Sequence, residues 1–155
     1  GREAARAWAR SEAGSPIQED LRRQTFMMLA RPTEAYELLF ERVATPFAVG
    51  HIGLAERTVA DPRTQAAAFE ETARSVTELR YNHGSGFVAN GLARSLGGGG
   101  RYMAVLLYAS KAAADAIDRA TEIAQYRQAH PFCAFTGPAI LSEYEPVHIV
   151  TNAGG

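Results

Sequence analysis

The sequence predicts an α+β fold in the order β-α-β-β-α-β, an antiparallel sheet with its helices on one face. Three observations carry this reading. Strand-like runs recur at Phe47 to Val59, Gly86 to Ser95, Arg101 to Ala109 and Pro138 to Val150. Between them lie two stretches with apolar residues at helical spacing. The junctions carry helix-cap and turn residues: Asp61-Pro62, Gly97 to Gly100, and Ser110.

Phe47 to Val59 (FAVGHIGLAERTV) is mostly small and apolar and stops at Asp61-Pro62, a cap followed by a first-turn proline. The next twenty residues place Phe69, Ala73, Val76 and Arg80 on one stripe with Leu79 beside it. That is an amphipathic helix ending before Asn82-His83-Gly84, and Asn82 and His83 read as turn-formers. Residues 86–109 form a hairpin whose turn is Leu96 and the four glycines. The glycine run is no phosphate loop, since no Lys-Ser/Thr follows it and it opens no helix. Ser110 caps a second helix reaching about Ala129, with Ala113, Ala116, Ile117, Ala120 and Ile123 on one stripe. The last strand centres on Tyr144 to Val150, and Pro146 assigns it to an edge or a bulge.

The first 45 residues form a separate segment. Glu3 to Glu12 reads as helix, Ile17, Leu21, Met28 and Leu29 continue a helical pattern, and Ala35 to Ala44 alternates as a strand. A shift of 108 residues lays Tyr36-Glu37 on Tyr144-Glu145 and Ala4-Ala5 on Ala112-Ala113. Residues 1–45 therefore read as the C-terminal half of a preceding unit, and 46–155 as a complete one.

Composition narrows the function classes. The chain is 46% hydrophobic and 21% charged, which argues against long disorder. A net charge of −1 without a basic stripe gives little purchase on nucleic acid. No run approaches the ~20 apolar residues of a membrane span, and the opening Gly1 to Arg6 reads as a charged helix former, not a signal peptide. The lone Cys133, in an apolar run, reads as a buried inert thiol in a reducing, cytoplasmic compartment.

Alternation puts Tyr102, Ala104, Leu106 and Tyr108 on one face of their strand and Met103, Val105, Leu107 and Ala109 on the other. His51 shares a face with Phe47 and Val49; Tyr144, Pro146, His148 and Val150 share another. If these faces line a cavity, His51, Tyr108, Tyr144 and His148 are its polar members; the alternative is local packing with each polar tip satisfied nearby.

The run Gly86 to Leu96, the glycine turn, and Arg101 through Tyr108-Ala109-Ser110 resemble the antibiotic biosynthesis monooxygenase (ABM) superfamily, and Tyr144 to His148 is similar to its closing strand. The resemblance covers residues 46–150. It implies a ferredoxin-like unit that pairs with a second chain or a tandem copy into a dimeric α/β barrel. It also implies a cofactor-independent monooxygenase or tailoring enzyme acting on a polycyclic aromatic polyketide through a phenol or hydroquinone ring. The alternatives are a polyketide cyclase or isomerase, and a non-catalytic ligand-binding barrel. Under the first reading His51, Tyr108 and His148 are the catalytic candidates and Tyr102, Tyr144 and His130 the substrate-binding ones, with no metal. Two positions depart from the family pattern: Ala93 stands where its histidine falls, and Tyr108 where its tryptophan does. Tyr126 to His130 is similar to the iron-binding run of the haem-degrading members, but Ala120 replaces their tryptophan and Phe47 to Val59 lacks their asparagine.

Overall fold

The structure, a computed structural model, describes residues 34–45 and 48–146. Asp61 starts the first helix as its position suggests. Its Oδ1 accepts from the Arg63 backbone N–H at 3.2 Å and its Oδ2 from the Thr64 hydroxyl at 2.7 Å, while Pro62 supplies a preset φ in the first turn. The helix α1 (Pro62–His83) ends at Gly84, whose φ of 81° suits glycine. Asn82 and His83 are thus its last residues and not a turn beyond it.

Five strands are described: β1 (Tyr36–Val43), β2 (His51–Thr58), β3 (Phe87–Ser95), β4 (Arg101–Tyr108) and β5 (Ile140–Tyr144). They form one sheet in the order β1-β3-β4-β2-β5, every neighbouring pair antiparallel. From β2 onward this is the predicted α+β, ferredoxin-like arrangement. The strand expected at Ala35 to Ala44 is β1, and it adds a fifth strand at the edge beside β3. The helix and irregular stretch expected before it fall outside the described residues.

The β3–β4 turn needs its glycines for two reasons. Gly98, Gly99 and Gly100 all have positive φ. Gly100 also lies so close to the start of α1 that a Cβ there would sit 2.5 Å from Pro62 Cγ and 2.9 Å from the Val59 carbonyl oxygen.

The predicted second helix is two helices, α2 (Lys111–Arg119) and α3 (Thr121–Ala129), with Ser110 Oγ accepting from Ala113 N–H at the start. Ala120 between them is extended, at φ −55° and ψ 134°. On an unbroken helix Ile117 and Ile123, six residues apart, would point roughly 120° away from each other. The break brings both into one fully buried cluster.

The last strand also differs from expectation. Its described part is Ile140–Tyr144, earlier than the predicted centre, and it pairs with β2 at the sheet edge. Residues 147–155, His148 among them, lie outside the described residues. Cys133 is exposed in the short 3₁₀ turn Phe132–Ala134, not buried. The turn follows α3 at the rim, where only part of its apolar run reaches the core.

The helices cover one face. Phe87 and Tyr108 pack with Ala114, Ile117 and Ile123, and Leu92 and Tyr102 pack with Phe69 and Val59. The opposite face gathers Ile52, Leu54, Val88, Met103, Val105 and Leu107, all buried, and no residue of α1, α2 or α3 belongs to that cluster.

Candidate functional site

The register decides which side chains meet under the helices. His51 pairs with Tyr108, Ala55 with Ala104 and Arg57 with Tyr102, so alternate residues of β2 from His51 to Arg57 share the helix-covered face. On β3 the pairing shifts between Phe87 and Ala89. Val88 and Ala89 both turn to the opposite face, and this bulge swings Asn90 toward the helices, opposite Leu106. From the helix side α1 contributes Phe69, Val76 and Arg80 at the spacing the sequence predicts.

These residues enclose a cavity of about 150 Å³ between sheet and helices, with Phe40, Phe69 and Phe132 as aromatic wall and Leu92, Leu106 and Ala104 as floor. An open depression of about 600 Å³ adjoins it, reaching Pro131, Cys133 and Thr136. Arg57, Asp118, Arg127 and Phe132 line both and so mark the mouth between them.

Charge is unbalanced there. Arg57, Arg80 and Arg127 face a single lining carboxylate, Asp118. Arg80 donates to Asp118 Oδ1 from Nε at 3.1 Å and from Nη2 at 2.8 Å, whereas Arg127 stands 4.0 Å from the same oxygen. Arg57 Nη1 donates to the Thr136 hydroxyl at 3.2 Å, and its guanidinium lies 4.7 Å over the Phe132 ring. Burial, then repulsion from Arg127 and Arg80, pulls the Arg57 pKa below its ordinary value. A site that disfavours its own positive charge is complementary to an anion. Asn90, only 4% exposed, lines the inner cavity, and its amide makes no hydrogen bond among the described residues. An amide facing a cavity offers both a donor and an acceptor to a ligand.

The structure separates the residues nominated from the sequence. None of the described ones lines either hollow. His51 is buried, with Nε2 3.5 Å from Glu143 Oε1 and Nδ1 unpartnered. Tyr108 beside it is buried with an unpartnered hydroxyl, and burial raises its pKa. Tyr102 donates to Glu70 Oε1 at 2.7 Å. Burial first, then that hydrogen bond, push its phenol up to about 12, which suits a structural hydroxyl. Tyr144 pairs with Ile52 and so belongs to the side of the sheet opposite the described helices. His130 is exposed at the end of α3, its ring stacked on Tyr126 at 4.3 Å. With that histidine off the cavity wall and so small an inner volume, the residues present do not fit a haem. Among the described residues no group of three or more His, Cys, Asp or Glu could hold a metal ion, and no helix is long and apolar enough to cross a membrane.

The charged lining was partly legible. Arg80 interrupts the apolar stripe of its helix, and Arg57 shares its parity with His51. Asn90 and Arg127 gave no comparable signal.

No protein-family model matches the sequence, and no curated protein does. Solved structures do. A protein described as a major regulator of staphylococcal pathogenesis aligns over 77% of this chain and 72% of its own, with TM-score 0.59 and 15% identity. SnoaB, a cofactor-independent oxygenase from Streptomyces nogalater, aligns over 66% of this chain and 98% of its own, with TM-score 0.55 and 15% identity. A Caulobacter crescentus protein assigned as an antibiotic biosynthesis monooxygenase covers 66% and 94%, with TM-score 0.55 and 21% identity. LmHde, a haem-degrading enzyme from Listeria monocytogenes, is also similar, at TM-score 0.52 and 11% identity. The likeness at these identities is one of fold.

Proposed function

We propose, taking the antibiotic biosynthesis monooxygenase fold as premise, that this chain is a cofactor-independent monooxygenase acting on a phenol or hydroquinone ring. The observation that carries the reading is the inner cavity: aromatic-walled, positively charged, and lined by the Asn90 amide. Its volume matches a single ring, since a 150 Å³ apolar cavity is about what benzene fills. A polycyclic aromatic polyketide would insert its reacting ring there and leave the others in the outer depression.

The arginines favour the phenolate over the phenol, lowering the substrate pKa as any nearby cation does. The electron-rich anion then reacts with oxygen. A carbon–oxygen bond forms at a ring C–H position and the O–O bond breaks. The second oxygen leaves as water with that hydrogen and the phenolic proton, so phenol becomes quinone without external reductant. Asn90 donates to the oxygen that gathers charge, and the cavity excludes bulk water.

Oxygen uptake with anthrone- or hydroquinone-type substrates tests the reading, with Asn90→Ala lowering kcat by about 10²-fold as other oxyanion contacts do. Absence of uptake above background on all of them overturns it, and turnover without oxygen consumption assigns the cavity to a cyclase or isomerase. One observation favours a second reading, non-catalytic ligand binding. The lining carboxylate, Asp118, is engaged by Arg80, which leaves no free carboxylate base on the described wall. Binding without turnover of any ring tested supports that alternative.

Pairing with a second copy or a tandem unit belongs to the same proposal. The six apolar residues of the face opposite the described helices are already buried in the single chain. The surface open to a partner there is the β5 margin, where Ile140 is 64% and Tyr144 45% exposed. A monomeric mass by light scattering at working concentration removes the homodimer.

A further inference from the structure

We infer that the ligand of this cavity carries a carboxylate in addition to its phenolic oxygen, and that Arg57 and Arg127 receive that carboxylate at the mouth. The inference rests on reading the cavity as a substrate site and names its substrate class: hydroxylated aromatic acids.

The charges argue for it first. One carboxylate, Asp118, serves three guanidinium groups on the lining, and its short contacts both go to Arg80. Arg127 is left at 4.0 Å. Arg57 has a hydroxyl and a ring face for company but no carboxylate among the described residues. Two positive charges therefore exceed the negative charge on the wall. A phenolate matches one of them. The other requires a second anionic group on the same ligand, because a half-buried guanidinium without a counter-charge is costly.

Position argues for it next. Asn90 and Phe69 line only the inner cavity, whereas Arg57, Arg127 and Phe132 line both hollows. A ligand with its ring inside and a carboxylate on the outward side meets each group in turn. The Arg57 guanidinium lies over the Phe132 ring at the mouth, and its N–H fork suits both oxygens of a carboxylate.

Calorimetric titration of the whole chain with 2,5-dihydroxybenzoate and with hydroquinone tests this, the two sharing a ring and differing in one carboxylate. The acid is expected to bind at least about tenfold more tightly at low ionic strength, as one charge-assisted pair gives. Arg57→Gln should abolish that preference, weakening the acid more than hydroquinone, and Arg57→Lys should restore part of it. If Arg57→Gln does not fold, Arg127→Gln, on a more exposed part of α3, provides the same comparison. Equal affinity for the two ligands, no binding of either, or acid binding indifferent to both arginine variants overturns the inference. Oxygen uptake separates it from the functional reading. Arginine-dependent binding of the acid without uptake on any ring leaves the inference standing and removes the oxygenase. Uptake on hydroquinone with no preference for the acid does the reverse.

Discussion

Replacing Asp118 by asparagine removes one charge and almost no volume, so it isolates what the carboxylate does among three arginines. The Arg80 side chain is 11% exposed and Asp118 39%, which places the pair between two measured extremes. Exposed ion pairs contribute about 0.2–1 kcal/mol, and removing one partner of a fully buried pair costs about 3–5 kcal/mol. Asparagine keeps an acceptor at the same place, but both Arg80 contacts lose their ionised acceptor, a loss of roughly 1 kcal/mol each. About 2 kcal/mol of destabilisation is therefore expected, or a fall in Tm of about 4–8 °C for a chain of this size. Urea and thermal unfolding monitored by circular dichroism measure it. Raised sulfate should recover more stability in the variant than in the parent, because the three guanidinium groups then face one another without the carboxylate. The parent Arg80–Asp118 coupling from a double-mutant cycle should be at least about 1 kcal/mol. A variant within about 0.5 kcal/mol of the parent, with unaltered salt response, would show that solvent already screens the pair and refute the charge argument for the cavity.

Other expectations are more local. Gly100→Ala should cost about 2–4 kcal/mol, from its positive φ and from the Pro62 and Val59 atoms its Cβ would meet, whereas Gly98→Ala, with nothing within 4 Å, should cost only about 1; equal losses on denaturant unfolding would deny the close approach. Tyr108→Phe deletes a buried hydroxyl with no partner among the described residues, so stability should hold or rise by up to about 1 kcal/mol, and a clear loss on thermal unfolding would reveal a partner for it. The Tyr102 phenol, pushed up to about 12, stays protonated in the folded protein while the unfolded chain ionises near the ordinary value of 10. Its contribution to stability is therefore complete below about pH 10 and lost as pH rises toward 12. Spectrophotometric titration near 295 nm should show Tyr102 and the buried Tyr108 ionising late, and Tyr102→Phe should reduce that late absorbance change by one tyrosine.

Element order, the helix starts and the β3–β4 turn were in the sequence because they depend on neighbours along the chain. Asp61 with Pro62, Ser110 and the glycine run each satisfy or free backbone groups locally, and the Phe69–Val76–Arg80 stripe follows from helical periodicity alone. The composition of the site was decided elsewhere, by two irregularities that strict periodicity cannot foresee. The bulge at Val88–Ala89 inverts the parity of β3 and turns Asn90 into the cavity. The extended Ala120 restarts the helix in a new phase, so that Ile117 and Ile123 share one cluster, while Asp118 and Arg127 flank the mouth. Alternation also put Tyr102 and Tyr108 on one face of their strand, but only the register and packing showed that His51 shares it and that helices lie on it. Local propensity reads contacts a few residues apart. A bulge or a helix break is held by partners dozens of residues away, and only the assembled sheet and helices supply them.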